Sequence, residues 1–112
     1  MAGVDVNGIV KLIIDEAIST GGDTWNRIKK SMPLYTRGYA QNLADIAEGV
    51  ASGEISAWDG AMYTQNAELI LIMAVANTAQ VIYFKVQQFI NKVLSILKGA
   101  INSKLPVPLL GG

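Results

Sequence analysis

The sequence predicts an all-α protein: helical hairpins, one very long C-terminal amphipathic helix and an extended, Pro-containing tail. Apolar residues recur at spacings of three and four along most of the chain, and no stretch of useful length alternates as a strand would. The glycines and prolines that interrupt this pattern gather at a few points, dividing it into segments. The clearest segment runs from Val81 to Ile101. At 100° per residue, Ile82, Tyr83, Val86, Phe89, Ile90, Val93, Leu94, Ile96, Leu97, Ala100 and Ile101 fall within an arc of about 160°, opposite Lys85, Gln87, Gln88, Asn91, Lys92, Ser95, Lys98 and Asn102.

The elements follow in order within one domain, residues 1–104. In the first predicted helix, 4–19, Val6, Ile9, Val10, Ile13, Ile14, Ala17 and Ile18 share a face; Asp5 or Asn7 caps it and Gly21-Gly22 ends it. Asp23 reads as the N-cap of a short helix, 24–31, which closes before Pro33 because the residue preceding proline is pushed out of helical geometry. Pro33 suits the first turn of the third helix, 33–52, which carries Leu34, Leu43, Ile46, Ala47 and Val50 and stops at Gly53. Ser56 with Asp59 three residues on resembles a capping box, so the third helix and the next should form an antiparallel hairpin, wedged shut by Ile55, Trp58 and Met62. After Ser56 no proline appears until Pro106, and the pattern predicts a single helix, 57–102, some 60 Å long at 1.5 Å per residue. Between Leu69 and Ala76 it is apolar all round and should be enclosed on every side. Residues 105–112, Leu-Pro-Val-Pro-Leu-Leu-Gly-Gly, read as an extended arm that docks on a neighbour or stays free.

Composition narrows the function. Of 112 residues, 51% are hydrophobic and only 16% charged, a surplus expected where a small chain hides surface against neighbours. With no cysteine there is neither disulfide nor thiolate metal site; with no histidine the commonest general base and metal ligand are gone. Asp15 with Glu16, and Asp45 with Glu48, are carboxylate pairs that keep helices soluble rather than hold a metal. No catalytic, cofactor or metal site and no small-molecule substrate is expected, and the start of the chain has none of the features of a secretory signal. All nine acids lie at or before Glu68, whereas Lys85, Lys92, Lys98 and Lys104 follow it unaccompanied. This polarity suits head-to-tail packing of copies, contact with an anionic surface, or simple pairing of the two halves within one bundle.

The apolar face of the last helix, Ile82, Val86, Phe89, Ile90, Val93, Ile96, Leu97 and Ala100, is the candidate self-association or membrane face. Ile82, Val86, Phe89, Val93, Ile96 and Ala100 keep the 4-3 alternation of a helix-on-helix seam, while Lys85, Lys92 and Lys98 form a basic flank able to reach lipid headgroups. The sixteen uncharged residues between Glu68 and Lys85 span about 24 Å of helix, short against a hydrocarbon core of about 30 Å. Arg27, Lys29 and Lys30 beside Trp25, with Arg37 following, form a basic group without a nucleic-acid motif, and binding of nucleic acid is not expected.

The run Leu43-Ala-Asp-Ile-Ala-Glu-Gly-Val-Ala-Ser-Gly-Glu-Ile-Ser56, followed by Trp58, resembles the helix-turn-helix hairpin of small helical virion and head-morphogenesis proteins of tailed bacteriophages. The resemblance covers about a third of the chain. It implies a multi-copy assembly component with no active site; the uncharged helix that follows departs from the usual charged continuation and leaves room for a channel or ejected protein. The expectation is a non-enzymatic structural protein that self-associates into a homo-oligomer or multi-copy assembly through its long C-terminal helix. Two alternatives stand beside it: a membrane-active protein with an interfacial or pore-forming helix, and a soluble helical adaptor.

Overall fold

A computed structural model describes residues 3–111, so the first two residues assigned to the domain and the last residue of the arm lie outside the described residues. Five helices make up the described chain: α1 (Val6–Thr20), α2 (Gly22–Ile28), α3 (Met32–Ser52), α4 (Ala57–Ala79) and α5 (Tyr83–Asn102). They form an elongated bundle of 41 × 22 × 22 Å. The α3–α4 hairpin has the most extensive contact; α1 packs against α3 and α5, α5 returns along α4, and α2 lies across one end against α1, α4 and α5.

The all-α reading holds, but the very long C-terminal helix does not. Residues 57–102 are two helices that fold back on each other. The break is a C-terminal cap at Gln80, whose φ of 54° and ψ of 44° place a non-glycine residue in the left-handed region. The Gln80 N–H donates to the Asn77 carbonyl and the Val81 N–H donates to the Ala76 carbonyl. That pair of bonds satisfies carbonyls the helix would otherwise leave open, and the apolar contact that accompanies such a cap is supplied by Val81 and Ala76, both buried. Asn77, Thr78 and Gln80 signal the stop only weakly, because none is a glycine or proline.

The other punctuation follows the sequence closely. The Asp5 carboxylate accepts from the Gly8 N–H at 2.9 Å, and the Ser56 hydroxyl accepts from the Asp59 N–H at 3.0 Å. Pro33 sits in the first turn of α3, and Gly53 ends that helix at φ 84°. Asp23 lies inside the first turn of α2 rather than capping it; Gly21, at φ 58°, holds the cap position and makes no side-chain bond. The predicted wedge is corrected. Ile55 does close the α3–α4 turn, lying against Gly49 with its N–H on the Gly49 carbonyl, and Gly60 lets the helices approach because a Cβ there would come within 2.6 Å of Val50 Cγ2. Trp58 and Met62 instead face outward, Trp58 being 76% exposed.

The core is shared by all five helices. Ile9 and Ile13 of α1, Ile28 of α2, Met32 and Leu43 of α3, Leu71, Ile72 and Val75 of α4, and Val86, Ile90, Val93 and Ile101 of α5 are all essentially inaccessible to solvent. Trp25 of α2 stacks on Phe89 of α5 at a centroid separation of 6.4 Å, fastening the short helix to the bundle. The predicted arm is not extended. The Asn102 side-chain oxygen accepts from the Leu109 and Leu110 N–H groups and its amide donates to the Leu110 carbonyl, which folds the tail back on its own chain. Leu105 is buried, and Val107, Leu109 and Leu110 pack on the core.

Candidate functional site

The face expected to meet a partner is closed over most of its width by the chain itself. Val86, Phe89, Ile90, Val93 and Leu97 lie in the core, covered by α1, α4 and α2. Ile82, Ile96 and Ala100 stay exposed, so the 4-3 alternation divides between two surroundings and is not one seam. The cause is angular. An arc of about 160° is wider than the narrow seam of a two-helix coil and matches a helix seated between two neighbours. Lys85, Lys92 and Lys98 are exposed as predicted, flanking a buried stripe instead of an open one.

The open apolar surface lies on α4. Trp58, Met62, Tyr63, Leu69, Ile70 and Met73 are exposed and fall within an arc of about 140°, with Asn66 near its middle. The opposite side of the same helix carries Gly60, Thr64, Ala67, Leu71 and Val75 into the core. The segment read as enclosed on every side is therefore enclosed on one side only by its own chain. The surface continues into a shallow groove of about 160 Å³ between α3 and α4, lined by Leu34, Tyr35, Gly38, Asn42, Ile70 and Ala74. The charged residues of α4 are Asp59 and Glu68, and Glu68 is turned away from this face toward α5.

Glu68 borders a hollow of about 280 Å³ with Asn91, Leu94, Ser95 and Lys98, closed at one side by Leu110 and Gly111 of the folded-back tail. Half-burial raises the Glu68 carboxyl above its ordinary value. The Tyr39 hydroxyl is buried and, among the described residues, has no hydrogen-bond partner, and burial together with the Glu68 charge pushes its ionisation far up, so it stays a neutral phenol. One carboxylate, one ammonium, an amide and a hydroxyl meet here. Asp15, Asp45 and Glu48 are exposed and Glu16 is half-buried, and among the described residues no three carboxylates are gathered at one place. Asp15 is bound instead to Lys11 at 2.9 Å.

A third surface is the end of the bundle where α2, the start of α3 and the α4–α5 turn meet. Arg27, Lys29, Lys30, Arg37 and Lys85 are exposed there, with Leu34 and Ile82 each 69% exposed and Phe84 61% exposed. Tyr35 and Thr78 exchange a hydroxyl hydrogen bond at 2.8 Å, which holds the start of α3 beside the end of α4. The sequence identified the cations. It placed Ile82 on the apolar face of the last helix but did not group it with Leu34 and Phe84 at a tip, because Ile82 and Phe84 sit inside what reads as a continuous helix. Among the described residues, no helix is long and apolar enough to cross a membrane, which removes the spanning form of the membrane alternative for them. In comparisons with family models, curated proteins and solved structures, the chain finds no match.

Proposed function

We propose that the protein is a non-enzymatic structural protein that works in multiple copies and self-associates through the outer face of α4, not through α5. The observation that carries this reading is the row Trp58, Met62, Leu69, Ile70 and Met73, large apolar side chains left open on one side of a helix whose other side is core. A second copy is the occupant that best fits the chemistry of the row. A two-fold axis through Asn66 lays two α4 helices antiparallel, bringing Met62 against Ile70 and Tyr63 against Leu69 of the partner copy, with the two Asn66 amides facing each other. The face carries one charge, Asp59 near its N-terminal end, which this arrangement sets opposite Met73 of the partner copy at the margin of the contact. Trp58, the most exposed of the set, has the character of an interface anchor. The likeness of the α3–α4 turn to that of small phage virion proteins supports a multi-copy setting.

The test is the mass in solution. Leu69→Glu with Met73→Glu should leave the helical circular dichroism unchanged and shift the mass by light scattering from a dimer or larger species to the monomer. A monomeric wild-type protein, or a variant of unchanged mass, overturns the reading. The adaptor alternative differs only in the occupant of the same face and predicts a monomer.

A further inference from the structure

Charge in this chain is sorted by sequence half, but the fold sorts it again along the long axis of the bundle. At the end capped by α2, the α2–α3 connection and the start of α5 present Arg27, Lys29, Lys30 and Lys85, all exposed, with Arg37 one turn further along α3. The acids on the same end are Asp23, in the first turn of α2, and Asp15 and Glu16 in the last turns of α1; Asp15 is neutralised by Lys11 and Glu16 accepts from the Thr20 hydroxyl. At the far end Glu48, Glu54 and Asp59 surround the α3–α4 turn, and Asp5 lies 3.9 Å from Lys104. One end is thus basic and the other acidic.

Apolar residues stand among the cations of the basic end. Leu34, Ile82 and Phe84 are each more than 60% exposed, and they are held in place by rigid neighbours. Val81 is buried just before Ile82, the Tyr35–Thr78 bond joins the start of α3 beside Leu34 to the end of α4, and the Trp25–Phe89 stack fixes α2 next to Lys85. Prominent apolar side chains surrounded by cations match the surface chemistry of a bilayer whose headgroups are anionic and whose interior is apolar. A nucleic acid would use the cations but has no use for exposed Leu34 and Ile82, which neither hydrogen-bond nor stack.

We propose that the basic, apolar-tipped end of the bundle docks end-on against an anionic lipid surface, inserting Leu34, Ile82 and Phe84 at headgroup depth while Arg27, Lys29, Lys30 and Lys85 contact the lipid phosphates. Of these residues only Leu34 borders the groove beside the α4 face, and Ile82, Phe84 and the cations lie off it, so this contact and self-association are separable by substitution. Each cation held at an anionic bilayer contributes about fivefold in affinity, and the tip residues supply the part that survives salt.

Co-sedimentation tests it. The full chain should pellet with phosphatidylcholine vesicles containing phosphatidylglycerol and much less with phosphatidylcholine alone, and part of the binding should persist at high salt. Lys29→Gln with Lys30→Gln should weaken it by about tenfold or more at low salt. Ile82→Gln with Phe84→Gln should abolish the salt-resistant part, with unchanged helical circular dichroism because both side chains are already exposed. The Leu69→Glu, Met73→Glu variant should still pellet. Absence of pelleting with phosphatidylglycerol vesicles overturns the proposal, as does loss of pelleting in the α4 variant with retention in the tip variants. Binding of a short DNA duplex in preference to the vesicles overturns it as well.

Discussion

At the residue scale the turn at Gln80 decides the architecture. A non-glycine residue in the left-handed region is strained by the approach of its Cβ to the following carbonyl, at about 1 to 2 kcal/mol. Here the strain is offset by two backbone hydrogen bonds and by Val81 packing onto Ala76. The Gln80 side chain is exposed, and among the described residues it makes no hydrogen bond of its own. Gln80→Gly therefore removes the strain and keeps the cap. Its greater unfolded-state freedom cancels part of the benefit, leaving a gain of about 1 kcal/mol. Thermal unfolding should show a Tm rise of about 4 °C. Gln80→Val should move the other way, since a β-branched residue tolerates positive φ poorly. A Tm for the glycine variant at or below that of the wild type would show that Gln80 contributes something beyond its backbone.

At the scale of elements, the tail depends on one side chain. Asn102 makes three hydrogen bonds to residues 109 and 110, in the role a strand partner or a neighbouring copy would otherwise fill. Asn102→Ala leaves two N–H groups and a carbonyl without their partner and should free the tail beyond Leu105, exposing one side of the hollow at Glu68. Hydrogen exchange at the Leu109 and Leu110 amides should rise to near the unprotected rate, with a loss of about 1 to 3 kcal/mol in global stability. What could be read of these elements from the residues alone divides on the same physical line. Caps made by local chemistry were legible: Asp5, Pro33, Gly53 and Ser56 each act within four residues of themselves. The Gln80 break and the folded-back tail were not, because both are fixed by tertiary contacts whose partners are distant or chemically unremarkable. Continued through Gln80, the apolar pattern makes one rod of two helices of ordinary length and gives α5 the openness that belongs to α4. It also hides the exposure of Phe84 and the place of Ile82 beside it at a turn.

At the scale of the whole molecule, the same apolar surplus was read as needing a partner and proves to be largely satisfied inside one chain. Folding 57–102 back on itself puts α5 between α1 and α4, so that a single copy shields the middle of the stripe and leaves Ile82, Tyr83, Ile96 and Ala100 at its edges exposed. This makes two residues of the former seam respond in opposite ways. Ile90 is fully buried, and Ile90→Ala should lower stability by about 2 to 5 kcal/mol through lost burial and the cavity left behind. Ile96 is 54% exposed, and Ile96→Ala should change stability by no more than about 0.5 kcal/mol. Neither substitution should change the mass of the folded protein in solution, because neither position lies on the α4 face. Denaturant unfolding together with light scattering measures both quantities. Equal stability losses at the two positions, accompanied by a fall in mass, would mean that α5 meets another copy and that the one-chain bundle is not the folded unit. A domain of this size has about 5 to 15 kcal/mol in hand. The buried substitution alone should therefore consume a large share of that margin, while the helix it sits on stays inside a single folded copy.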